Sequence, residues 1–140
     1  MDTDLRDDLP DGIDRPTLLL VEDEPLITEL IEVNLRDAGF DVVAIGDAGH
    51  AIDELERQPN RFCGLITDIR MAGGNGWDIA RRARELSPGL PVVYITGDSY
   101  GEWTSMGVPN SLLIEKPFAP AQIVVAIANL INAGQAPDRN

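Results

Sequence analysis

Short apolar runs alternate along the chain with longer amphipathic stretches, and this alternation restricts the fold more than any other feature. The runs are Thr17–Val21 (TLLLV), Asp41–Ile45 (DVVAI), Cys63–Thr67 (CGLIT), Pro91–Ile95 (PVVYI) and the brief Leu112–Ile114. Each is strand-length, and a near-continuous apolar run suits a strand buried on both faces. Between them lie helical patterns. Pro25–Ala38 repeats Leu26, Ile27, Leu30, Ile31 and Leu35 at helical spacing, with Pro25 at a first helical position, Asp23 or Glu24 as cap and Gly39 as the stop. Ala48–Arg57 is closed by Pro59, and Trp77–Leu86 by Pro88 and Gly89; Asp98–Met106 is weaker, interrupted by Gly101; Pro120 opens a last helix through Ile123, Val124, Ile127, Leu130 and Ile131. Gly73, Gly74 and Gly76 make a permissive loop before the third helix. Five strands alternating with five helices predict an α/β, doubly wound, five-stranded parallel sheet covered on both faces.

Chemistry in such sheets gathers beyond the carboxyl ends of the strands. Glu22 and Asp23 follow the first strand, Asp68 ends the third, Thr96 the fourth and Lys116 the fifth. Crowded carboxylates repel and need a shared cation, and oxygen-only ligands suit Mg²⁺. With the charge neutralised, one carboxylate can attack phosphorus and form an acyl phosphate. Asp68 stands alone on the central strand, between the acidic pair and Thr96, and is the natural nucleophile. Lys116 would neutralise phosphoryl oxygens, and the Thr96 hydroxyl would donate to one of them.

Charge and length agree with this. The 140 residues make one domain, and 24 Asp and Glu against 11 Lys and Arg leave a net charge of -13. That balance argues against direct binding to nucleic acid or anionic membrane. No apolar run nears the about 20 residues of a membrane span. Cys63 is the single cysteine, so no internal disulfide forms, and a cytoplasmic setting is expected. Residues 1–16 read as a flexible acidic lead, 17–133 as the folded unit and 134–140 as a flexible tail.

The segments LLLVEDEP, LITDIRMAGGNGWD, VVYITGDS and LLIEKPF, in this order, resemble the receiver domains of response regulators in two-component signalling. The resemblance runs from about Thr17 to Ile131. It implies a flavodoxin-like sheet of order 2-1-3-4-5 and phosphorylation of Asp68 by a sensor histidine kinase. It also implies Mg²⁺ or Mn²⁺ held by Glu22, Asp23, Asp68 and the backbone carbonyl of Arg70. Thr96 would be the switch hydroxyl, Lys116 the phosphate-binding lysine, and Lys116–Pro117 a cis peptide. The Tyr94–Gly97 run with the EKPF segment further resembles the single-domain receivers of alphaproteobacteria that carry an FATG-like motif. Three departures stand out. Leu113 replaces the aromatic common three residues before the lysine. Ala72 replaces a common proline. Arg70 and Asp98 each lie two residues beyond a site residue, where they are expected to pair across the site mouth and modulate dephosphorylation.

Taken singly, these signals are ordinary. An acidic pair before a helix often caps it, a strand-terminal Asp caps a loop, and Thr96-Gly97 and Lys116-Pro117 are common turns. Together, in order, at four strand ends, coincidence is a poor account. His50 is read as a surface residue, Cys63 as a small core residue, Trp77 as packing at a helix start, and Trp103 as packing under a loose helix rather than as a partner anchor. Signalling is expected through the face of the fourth helix, fifth strand and fifth helix, or as a phosphate sink or shuttle, since only a short polar tail follows Ala133. Only self-phosphorylation and self-dephosphorylation are expected, not turnover of a separate substrate. Competing readings are an aspartyl-phosphate hydrolase, disfavoured because Arg70 stands where a second acid is needed, and a phosphorylation-independent adaptor, which Leu113 keeps open. An FMN-binding flavodoxin is remoter still, because Glu22 and Asp23 would repel a phosphate.

Overall fold

The computed structural model describes residues 15–97 and 100–135. The elements are β1 (Thr17–Val21), α1 (Pro25–Asp37), β2 (Asp41–Ile45), α2 (Ala48–Arg57), β3 (Phe62–Asp68), α3 (Gly76–Leu86), β4 (Val92–Thr96), α4 (Tyr100–Met106), β5 (Ser111–Glu115) and α5 (Pro120–Gln135). The five strands pair in parallel in the order β2-β1-β3-β4-β5. The doubly wound order 2-1-3-4-5 is therefore present.

The apolar runs are continuous because both faces of the sheet are covered. Along β1, Leu18 and Leu20 point to one side, with Ile31, Leu35, Ile123 and Ile127 of α1 and α5. Leu19 and Val21 point to the other, with Ala51, Leu55, Ile79 and Ala80 of α2 and α3. Period-two alternation thus splits one apolar run between two cores. Trp77 and Tyr94 meet in the second of these, with ring centroids 4.8 Å apart. Tyr94 is wholly buried, and its hydroxyl oxygen accepts the Val108 N–H at 3.0 Å.

Three local outcomes differ from the sequence reading. Glu24 occupies the N-cap of α1, but its side chain makes no capping bond, while Pro25 at the helix start and Gly39 after its end, with φ 102°, stand as read. The glycine loop contains a two-residue antiparallel ribbon, Arg70–Met71 against Gly74–Asn75. Helix α5 continues to Gln135, two residues past Ala133; a glycine near a helix end costs only about 1 kcal/mol and need not stop it. Of the terminal segments read as flexible, residues 1–14 and 136–140 lie outside the described residues, as does Asp98.

Trp103 packs half-buried against the α2–α3 side, and its Nε1–H donates to Ser111 Oγ at 3.0 Å. That bond ties the seven-residue α4 to β5. His50 is exposed beside Asp47, the N-cap of α2, whose carboxylate accepts the His50 backbone N–H at 2.9 Å. Cys63 is half-buried on the α1–α5 side, and burial pushes its thiol above the ordinary value.

Candidate functional site

Parallel pairing brings the carboxyl ends of β1, β3, β4 and β5 to one rim. Val21 is in register with Thr67, Asp68 with Ile95, and Thr96 with Glu115. The residues at or just beyond those ends must therefore converge. Glu22, Asp23 and Asp68 each offer a carboxylate oxygen within 4.8 Å of the others. Lys116 Nζ lies 3.1 Å from Asp68 Oδ2 and 3.8 Å from Glu22 Oε1. Asp68 Oδ1 accepts the Ile69 N–H at 2.8 Å, so both of its oxygens are held.

Glu22 is 3% exposed, Asp68 6% and Thr96 2%, while Asp23 is exposed. Glu22 Oε2 accepts the Glu24 N–H at 3.1 Å; Oε1 is buried and no hydrogen bond reaches it. Burial, then the nearby charge of Asp68, raises the Glu22 carboxyl from 4.5 to about 7. Burial works to lower Lys116, but its hydrogen bond and charge contact with Asp68, aided by Glu22, outweigh this and hold it above the ordinary value. The rim thus carries more buried negative charge than Lys116 neutralises. The all-oxygen donors and the orphaned Glu22 oxygen fit a small hard dication.

The Thr96 carbonyl accepts the Lys116 N–H at 2.7 Å, which fixes β4 against the lysine. Asp68, Arg70, Thr96, Gly97 and Lys116 line an open cleft of about 370 Å³. The Lys116–Pro117 peptide is cis. Leu113 is half-buried and packs on the α2–α3 side, in register with Tyr94. Arg70 Nη2 lies 3.4 Å from Glu102 Oε1 of α4. The pairing expected of Arg70 with Asp98 falls outside the described residues. Sequence reasoning missed the Glu102 contact, because nothing in local spacing links residues 32 apart. It also missed a bond from the Ala72 N–H to Asp23 Oδ2 at 3.3 Å.

The shifted Glu22 carboxyl has a consequence for stability. A group that holds its proton more tightly when folded stabilises the fold below its unfolded value and loses that contribution as pH rises through its folded value. With chelator present, stability should fall by about 2–4 kcal/mol between about pH 4.5 and pH 7. In Glu22→Gln this slope should be absent. Denaturant titrations across that range measure it, and equal slopes in the two proteins would contradict the assignment.

Among the described residues, no helix is long and apolar enough to cross a membrane. The chain is 42% identical to a response regulator receiver protein from Sinorhizobium medicae WSM419, with a TM-score of 0.83 over 86% of this chain and 98% of that one. The receiver domain of sensor histidine kinase PA1611 from Pseudomonas aeruginosa PAO1, solved with a magnesium ion coordinated in its active-site cleft, is 26% identical; the TM-score is 0.73 over 85% of this chain and 99% of that one. The probable transcriptional regulatory protein TcrX of Mycobacterium tuberculosis is 29% identical over 117 residues, 82% of this chain and 49% of TcrX. The chain spans about half the length of the curated relatives it matches. Residues 18–128 match the response regulator receiver domain, and with that match over most of its length the chain belongs to this family.

Proposed function

We propose that Asp68 accepts a phosphoryl group from a phosphohistidine of a sensor histidine kinase, and that the resulting acyl phosphate changes the contacts this domain makes with other proteins. The observation that carries this reading is the rim itself: three carboxylates within 4.8 Å, with Lys116 on Asp68. An Asp68 carboxylate oxygen forms the new O–P bond as the donor's N–P bond breaks, and the bonding pair stays with the ring nitrogen. Glu22, Asp23, Asp68 and the Arg70 carbonyl would hold Mg²⁺ or Mn²⁺, which when bound supplies positive charge to the phosphoryl oxygens. Lys116 leaves Asp68 for a phosphoryl oxygen as the aspartyl charge is consumed. The Thr96 hydroxyl donates to another and draws β4 towards the site. Arg70 lines the same cleft and tunes how long the phosphoryl group persists. The chemistry of the family is limited to gaining and losing this group, rather than turning over a separate substrate.

Signalling runs through the face of α4, β5 and α5. Leu112 and Val125 are exposed there, and Trp103 couples α4 to β5. Leu113 stands where many receivers carry an aromatic, so a coupling from the Thr96 hydroxyl to that position lacks its usual partner here. Alternatively the domain passes its phosphoryl group on, as sink or shuttle. The Tyr94–Gly97 run supports placing the chain with the single-domain FATG-type receivers, and a lone cysteine suits the cytoplasm.

Incubation with a small acyl-phosphate donor and Mg²⁺ tests the reading. Label should appear on Asp68 by peptide mapping, at up to one per chain, and should vanish when EDTA replaces Mg²⁺. Label on another residue, or none at all, would overturn it.

A further inference from the structure

Asp23 differs from its two neighbours in what holds it. Among the described residues, Lys116 reaches Glu22 and Asp68, while the Glu24 and Ile69 N–H groups donate to those same two carboxylates. Asp23 is exposed, lies in the same cluster and is repelled by both. The hydrogen bond that reaches it comes from the Ala72 backbone N–H, 49 residues away, to Oδ2 at 3.3 Å.

Ala72 is itself fastened. Its carbonyl accepts the Ala48 N–H of α2 at 3.0 Å, and it follows Met71 in the ribbon that pairs with Gly74 and Asn75. The donor is therefore a fixed peptide between two anchored elements, not a mobile side chain. Its existence depends on the residue type at one position: proline has no N–H and would delete the bond while leaving the carbonyl in place.

We propose that Ala72 is a positioning residue whose backbone N–H holds the Asp23 carboxylate in the cluster before the cation arrives. This rests on the cation-binding reading above. An exposed carboxylate freed from that donor turns towards water to escape Glu22 and Asp68, and the cation must then bring it back. Groups that orient metal ligands from behind commonly matter about 10- to 100-fold in metal affinity. At 3.3 Å and in partial contact with solvent, the effect here falls lower, at about three- to tenfold.

The test titrates Mg²⁺ alone by calorimetry into wild type, Ala72→Gly and Ala72→Pro, with metal-free thermal unfolding of each. Ala72→Gly keeps the N–H and should bind within about twofold of wild type. Ala72→Pro should bind about three- to tenfold more weakly while remaining folded. Equal affinity in the proline variant, or an equal loss in the glycine variant, overturns the proposal. Wild type that binds no Mg²⁺ overturns the cation-binding reading instead. Should Ala72→Pro fail to fold, hydrogen exchange of the Ala72 amide in metal-free wild type and Asp23→Ala decides. The bond predicts slower exchange in wild type, and equal rates overturn it.

Discussion

Asp68→Asn should reduce acyl-phosphate labelling to background, a loss on the order of a thousandfold or more, while leaving the fold intact. The carboxylate is the attacking group, and an amide of the same shape is no nucleophile. The substituted amide keeps an oxygen for the Ile69 N–H, which donates to Asp68 Oδ1 at 2.8 Å in the wild type, so the local backbone loses nothing. What changes is the partnership with Lys116: the amide Nδ2–H2 faces the ammonium where Asp68 Oδ2 accepted from it at 3.1 Å, so that bond is lost along with one charge. Lys116 retains Glu22 at 3.8 Å, and Glu22 loses one of the two main causes that lift its carboxyl to about 7. Without metal, relief of crowding among three carboxylates opposes loss of the Lys116 bond, so urea stability at pH 8 should stay within about 2 kcal/mol of wild type. Labelling above a tenth of the wild-type level would show that phosphate enters elsewhere. Labelling lost together with the fold would make the variant uninformative about the nucleophile, so the urea titration belongs with the labelling assay.

Gly76→Ala should destabilise the domain by about 2–4 kcal/mol, although alanine is the better helix former at most positions. A Cβ at Gly76 would stand 2.3 Å from the Asp68 carbonyl oxygen, and 3.1 Å from both the Asp68 carbonyl carbon and Ile69 Cα. All three are backbone atoms of the segment that carries the phosphoacceptor. The Gly76 N–H donates to the Ile69 carbonyl at 2.8 Å, so α3 cannot back away without breaking a buried bond. The strain falls on the end of β3 and should also slow labelling of Asp68. Gly89→Ala is the control: nothing lies within 4 Å of its added carbon. It should change stability by no more than about 0.5 kcal/mol. Urea midpoints measure both, and a Gly76→Ala midpoint as close to wild type as that of Gly89→Ala would refute the close-approach argument.

The placement of elements was readable because each rests on local information. TLLLV and PVVYI are strand-length and apolar throughout, and Pro25, Gly39, Pro59 and Pro120 punctuate the helices. Pairing five such strands with five helices leaves few arrangements, and the parallel sheet follows. The same reasoning put Glu22, Asp23, Asp68, Thr96 and Lys116 at strand ends before any distance was known. It did less well where a structure is too short to leave a pattern, as in the ribbon of Arg70–Met71 with Gly74–Asn75, or where a helix outruns its expected stop, as α5 does to Gln135.

From residue order alone came the periodicities, the strand ends and the types of side chain that gather there, since these depend on neighbours a few positions away. Tertiary structure alone decided that Lys116 meets Asp68 at 3.1 Å, that one Glu22 oxygen is buried without a hydrogen bond, that Arg70 faces Glu102, and that a peptide N–H from Ala72 reaches Asp23. Those contacts join residues tens of positions apart. They arise from the register of packed strands and from burial, which set distance and dielectric together, and no short window of sequence encodes either.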